Sequence, residues 1–126
     1  MVYKVKVRWP IEAIKAQLEQ KAKDVGFGIL GSYNFKNMLK QKGFEIDKEI
    51  TVYELCNPAG ASSALNAFTD ISVYLPCRIS IYEEDGVTVL ATIGIEDMLK
   101  TIDADTEFKK HMSEIFKNLR ILMNSW

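Results

Sequence analysis

The stretch from Cys77 to Ile93 constrains this chain most. Two runs rich in β-branched and apolar residues, 77–83 and 87–93, are separated only by Glu84-Asp85-Gly86. Glycine enters positive φ without steric penalty, so so short a connection folds the two runs back on each other as an antiparallel hairpin. A lone hairpin is marginal in water and must recruit further strands or helices to cover an apolar face. The chain is therefore expected to build on an antiparallel sheet.

The remaining segments supply the partners. Residues 2–9 alternate, with Tyr3, Val5, Val7 and Trp9 on one side and Lys4, Lys6 and Arg8 on the other, the period of a half-buried strand, and Pro10 ends it. Ile11, Ile14, Leu18, Ala22 and Val25 then recur at helical spacing, with Gly26 as the stop. Residues 27–33 read as a second strand whose glycines allow twist or close backbone approach. A short basic helix follows, with Phe35, Met38 and Leu39 as its apolar side, a solvated face of Lys36, Lys40 and Lys42, and Gly43 as its end. Residues 49–56 form a third strand by β-branched and aromatic content. Asn57 then caps a helix over 58–68, with Pro58 at the first helical position, where a missing N–H costs nothing. Its small residues let it approach the sheet closely. A stripe including Phe108, Met112, Ile115, Phe116 and Leu119 marks a last amphipathic helix over about 104–124, read as core.

The order β-α-β-(short α)-β-α-β-β-α predicts an α+β fold in two layers: a mainly antiparallel sheet of about five strands with helices packed on one face. The other face is left for a partner, and Tyr53, Leu55 and Tyr82 are expected to lie on it. No repeat, low-complexity tract or linker interrupts residues 1–126, which are read as one domain. A domain of 126 residues buries about two-thirds of its surface, so its core needs no disulfide or metal staple.

Charge narrows the partners. Sixteen Lys and Arg against seventeen Asp and Glu give a net charge of −1 with the signs interspersed, which predicts neither nucleic acid nor a membrane surface as partner. No apolar run approaches the roughly 18 residues of a spanning helix. The alternating start does not resemble a signal peptide, and two cysteines make no disulfide framework, so a cytoplasmic setting with reduced thiols is expected.

Those cysteines mark the place where chemistry is conceivable. Cys56 precedes the capped helix, where free N–H groups and the helix dipole can lower a thiol pKa, and Cys77 begins the strand after it. Antiparallel pairing of the two strands would bring both to one end of the sheet; a parallel crossover would keep them apart. Arg78 shares a strand face with Ser80 and Tyr82, away from the Cys77 sulfur. Two readings stand side by side: a thiol pair for redox or sulfur handling, and two small buried hydrophobes. Glu54 is a base for Cys56 in the first reading and a plain strand residue in the second. A zinc site lacks the tight ligand pairs it needs, and His111 borders the last helix's stripe as a boundary residue rather than a ligand. Ser62 and Ser63 have no evident base, and no glycine pattern matches a phosphate or dinucleotide loop. No cofactor or metal is expected.

Several of these pieces together resemble a known family. Gly26-Phe27-Gly28-Ile29-Leu30, Leu39-Lys40-Gln41-Lys42-Gly43, Cys56-Asn57-Pro58 followed by Ala61 and Ala64-Leu65, and Leu75-Pro76-Cys77 are similar to the pattern of the domain of unknown function 302, over about residues 2–100. The resemblance implies a compact α+β domain, often dimeric, without established enzymatic activity. It carries over Cys56, Asn57, Pro58, Pro76 and Cys77 as site residues. Asn34, Ser62 and Gly94-Ile95 depart from polar or Asx-Pro positions common in relatives. The expected function is thus a non-enzymatic homodimer binding a small molecule or protein near the Cys-Asn-Pro helix start, with thiol chemistry at Cys56 and Cys77 as the alternative.

Overall fold

Each strong local signal becomes an element in the computed structural model, which describes residues 1–126. In chain order these are β1 (Val2–Val7), α1 (Ile11–Asp24), β2 (Gly28–Asn34), α2 (Phe35–Gln41), β3 (Ile50–Cys56) and α3 (Pro58–Ala67). A 3₁₀ helix (Thr69–Tyr74) leads into β4 (Cys77–Glu84), β5 (Val87–Ile93), α4 (Ile95–Lys100) and α5 (Thr106–Met123). The hairpin loop is tighter than the sequence suggests. Glu84 and Val87 still pair, and Asp85 and Gly86 between them both have positive φ, 54° and 76°, the pattern of a two-residue type I′ turn.

The five strands form one sheet in the order β1-β5-β4-β3-β2, with every neighbouring pair antiparallel. Helices pack on one face, as expected. Ile14, Leu18 and Ala22 of α1 and Met112, Phe116 and Leu119 of α5 meet Leu55, Ile79, Ile81 and Leu90 of the sheet in one buried cluster. Asp105 caps α5 by accepting the Phe108 N–H at 2.8 Å. Arg120 then ties α5 outward, with two 3.0 Å bonds to Glu96 of α4 and its guanidinium 4.1 Å from the Tyr3 ring centroid.

Two irregularities in the sheet shape its surface. Between β2 and β3 the register passes from Ile29↔Leu55 to Gly31↔Glu54, leaving Leu30 as the extra residue of a β-bulge. Between β4 and β5 the register runs from Glu84↔Val87 to Ser80↔Ala91 and stops. Beyond it β5 is paired with β1 alone, as far as Val2↔Ile93, and Thr92 Oγ1 donates to the Arg78 carbonyl at 2.6 Å.

Other expectations are corrected. Tyr53 and Leu55 lie on the helix-covered face, since they share strand parity with each other and Leu55 is fully buried; Tyr82 pairs with Ile50, of opposite parity, and alone of the three lies on the open face. The first strand ends at Val7, and Trp9 is exposed. Helix α2 buries none of its residues: it packs against β2 and β3 with no layer above it, so Phe35 and Met38 stand in solvent.

Candidate functional site

Asn57 and Pro58 do locally what their types dictate. Asn57 is extended, its Oδ1 accepts the Gly60 N–H at 3.0 Å, and its carbonyl accepts the Ala61 N–H at 2.8 Å. Pro58 has no N–H to offer. Of the three N–H donors at residues 59–61, those of Gly60 and Ala61 are taken, so the start of α3 is a capped end rather than an anion cradle.

Close approach of α3 to its neighbours follows from Gly60. A Cβ there would meet Ile115 Cδ1 of α5 at 2.8 Å, so at this helix distance any larger residue would require the Ile115 side chain to move aside. Ala64, one turn later, is fully buried.

Antiparallel pairing of β3 and β4 sets Leu55 opposite Cys77 and brings both cysteines to one end of the sheet. Both are free thiols; Cys56 is half-buried and Cys77 buried. Burial, with the nearby Cys56 as a smaller cause, pushes the Cys77 thiol up from the ordinary 9.0 to about 11. Arg78 faces away, as strand alternation predicts. On the open face its Nη2 lies 3.3 Å from Glu54 Oε2, while the Tyr33 hydroxyl donates to Glu54 Oε1 at 2.5 Å. That bond raises the Tyr33 pKa, because ionisation would set a phenolate against a carboxylate. The Glu54 carboxylate is thus engaged by Tyr33 and Arg78 rather than by Cys56.

Around the cysteines the chain forms a cavity of about 290 Å³ that is open to solvent on one side, with ten of its thirteen lining residues hydrophobic. Cys56, Asn57, Pro76 and Cys77 line it, whereas Pro58, at the first position of α3, does not. The sequence reading missed the opposite walls, which come from Leu30, Leu65, Leu75 and Met112. Leu30 carried a usable signal, since Gly28 stands two positions before it and Gly31 directly after it, and glycine inside a strand often marks a bulge. The bulge turns Leu30 outward at the rim, 65% exposed, beside half-exposed Leu65. Met112 and Ile115 come from a helix distant in sequence and gave no local sign.

Elsewhere, His111 Nε2 lies 3.3 Å from the Gly60 carbonyl, at the edge of the core. No group of three or more His, Cys, Asp or Glu side chains is placed to hold a metal ion, and no helix is long and apolar enough to cross a membrane.

Comparison with known proteins bears on the whole chain. The family model described as domain of unknown function DUF302 matches residues 3–126. The motif resemblance stops near residue 100, whereas this match runs on through α5. No curated protein matches. The crystal structure of an uncharacterized conserved DUF302 protein from Bacillus stearothermophilus is similar at 26% identity and a TM-score of 0.90, over 98% of this chain and 95% of that one. With a family match over nearly every residue and the same fold in a solved relative, the chain belongs to the DUF302 family.

Proposed function

We propose that the chain is a non-enzymatic binding protein that takes a small apolar molecule in the cavity beside Cys56 and Cys77. The observation that carries this reading is the cavity itself, nearly apolar throughout and rimmed by the bulge residue Leu30. A leucine held 65% exposed by a local break in pairing loses favourable burial unless something covers it. The thiol alternative has less support, because a buried Cys77 with its pKa near 11 is a neutral thiol at physiological pH and a poor nucleophile or leaving group.

A second copy of the chain is the proposed protein partner. Leu30, Phe35, Met38 and Phe44 are all exposed in or just after β2, an edge strand with a free row of backbone donors and acceptors.

The cavity is tested with a neutral fluorescent probe such as N-phenyl-1-naphthylamine. Ala61 lines the space from α3, so Ala61→Leu fills part of it and is expected to weaken probe binding about tenfold or more, while Ala61→Ser leaves it nearly unchanged. Equal affinity in all three proteins would overturn the proposal.

A further inference from the structure

The uncovered face of the sheet holds a second and larger depression, about 560 Å³, a size common among small-molecule sites. Its floor is one cross-strand row, Lys4↔Ala91↔Ser80↔Val52. Small Ala91 and Ser80 at the centre of the row leave the floor low. Past Ser80↔Ala91, where the β4–β5 register stops and Thr92 Oγ1 bridges to the Arg78 carbonyl, the lining continues through Thr92 to buried Phe116 on the helix side.

Its charge is one-sided. Lys4 and Arg78 are the only charged residues that line it and no carboxylate does, in a chain whose net charge is −1. Lys4 takes part in none of the ion pairs of the chain. Arg78 gives Glu54 a single nitrogen, and its side chain is 55% exposed, so most of its N–H donors face solvent. The two residues stand two strands and two positions apart, roughly 10 Å by 7 Å along the backbone, within reach of a common point for side chains of this length.

We propose that this groove binds an amphipathic monocarboxylate, its apolar body in the depression over β4 and β5 and its carboxylate accepting from Lys4 Nζ and the free N–H groups of Arg78. The site is separate from the cavity at α3, although Pro76 and Cys77 line both. A second copy laid on this face would meet it poorly. The acids there, Glu54 and Glu84, are already paired with Arg78 and Lys48, leaving Lys4 without a carboxylate opposite it.

The test uses dodecanoate and dodecan-1-ol on the full chain, with affinity from calorimetry and location from amide chemical shifts. The expected result is saturable dodecanoate binding that perturbs Val52, Ser80 and Ala91, with the alcohol at least tenfold weaker. Lys4→Met and Arg78→Met, both at exposed positions, are each expected to weaken dodecanoate about tenfold, the scale of one charge-assisted hydrogen bond. The proposal fails if dodecanoate does not bind, if alcohol and carboxylate bind alike, or if Lys4→Met leaves the affinity unchanged. It also fails if the shifts fall at Ala61 and Leu65, which would put the ligand in the α3 cavity and leave that first reading standing. Shifts at Ser80 and Ala91 that grow with protein concentration alone, with a doubled mass, would assign the face to a second copy instead. Probe binding to Ala61→Leu, measured independently, reports on the α3 cavity whatever the groove does.

Discussion

Around Cys77 a thiolate would find no nearby cation to balance it, since the neighbouring guanidinium of Arg78 extends from the opposite face of the sheet. The direction of the pH effect follows. A group whose folded pKa, about 11, exceeds its ordinary 9.0 adds stability that is complete below pH 9 and is lost as pH rises through 11. Two units correspond to about 2–3 kcal/mol. Unfolding free energies from urea titrations between pH 8 and 11 should therefore fall more steeply for the native sequence than for Cys77→Ala, by about 2 kcal/mol at the alkaline end; parallel curves would mean that water reaches the thiol. At this scale the sequence was readable where a residue acts on its own neighbours. Asn57 and Pro58 announce a helix start because capping is local, and Gly86 announces a turn. The walls opposite the cysteines were hidden, because Met112 and Leu30 approach them only after the chain has folded.

Helices and strands were legible in proportion to how many periods they display. Helices α1 and α5, of 14 and 18 residues, repeat their buried positions turn after turn, whereas α4 and the 3₁₀ segment span six residues each, too few for a period to stand out from chance. The apolar residues of α2 suggested a buried side that it lacks, since composition alone does not say whether another layer lies above. Helix α5 has a larger role than an appendage beyond the recognisable motifs. Seven of its residues are buried, and at about 1.5–3 kcal/mol for each large side chain the total matches or exceeds the net stability of an ordinary domain. A chain ending at residue 104 is expected to lose its cooperative thermal transition and its near-ultraviolet circular dichroism. A sharp transition in that fragment would show that the sheet and the other helices suffice.

For the whole molecule, the antiparallel sheet and its two-layer α+β arrangement followed from one hairpin and the order of elements. Which strand face is covered needed the register. A one-residue change of parity decides it, and Tyr53 and Leu55 on one parity with Tyr82 on the other could be told apart only once Ile50↔Tyr82 was fixed. Association through the β2 edge, the proposed dimer, makes a prediction at this scale. Light scattering from micromolar to millimolar protein should approach twice the chain mass, and Leu30→Lys together with Phe44→Lys should shift the balance toward single chains by at least tenfold in dissociation constant. A constant single-chain mass in the native sequence would remove the second copy as partner.

The strand order carries a consequence in time. β1 joins the sheet only through β5, and Val2 meets Ile93 across nearly the whole intervening chain. Contacts of such separation slow folding, because a long loop must close before the pairing rewards it. During synthesis at about 5–20 residues per second, β1 is made several seconds before its sole partner strand exists. The earliest of the five strands is thus among the last to be satisfied, and until β5 follows it the alternating face of Tyr3, Val5 and Val7 has no sheet to join.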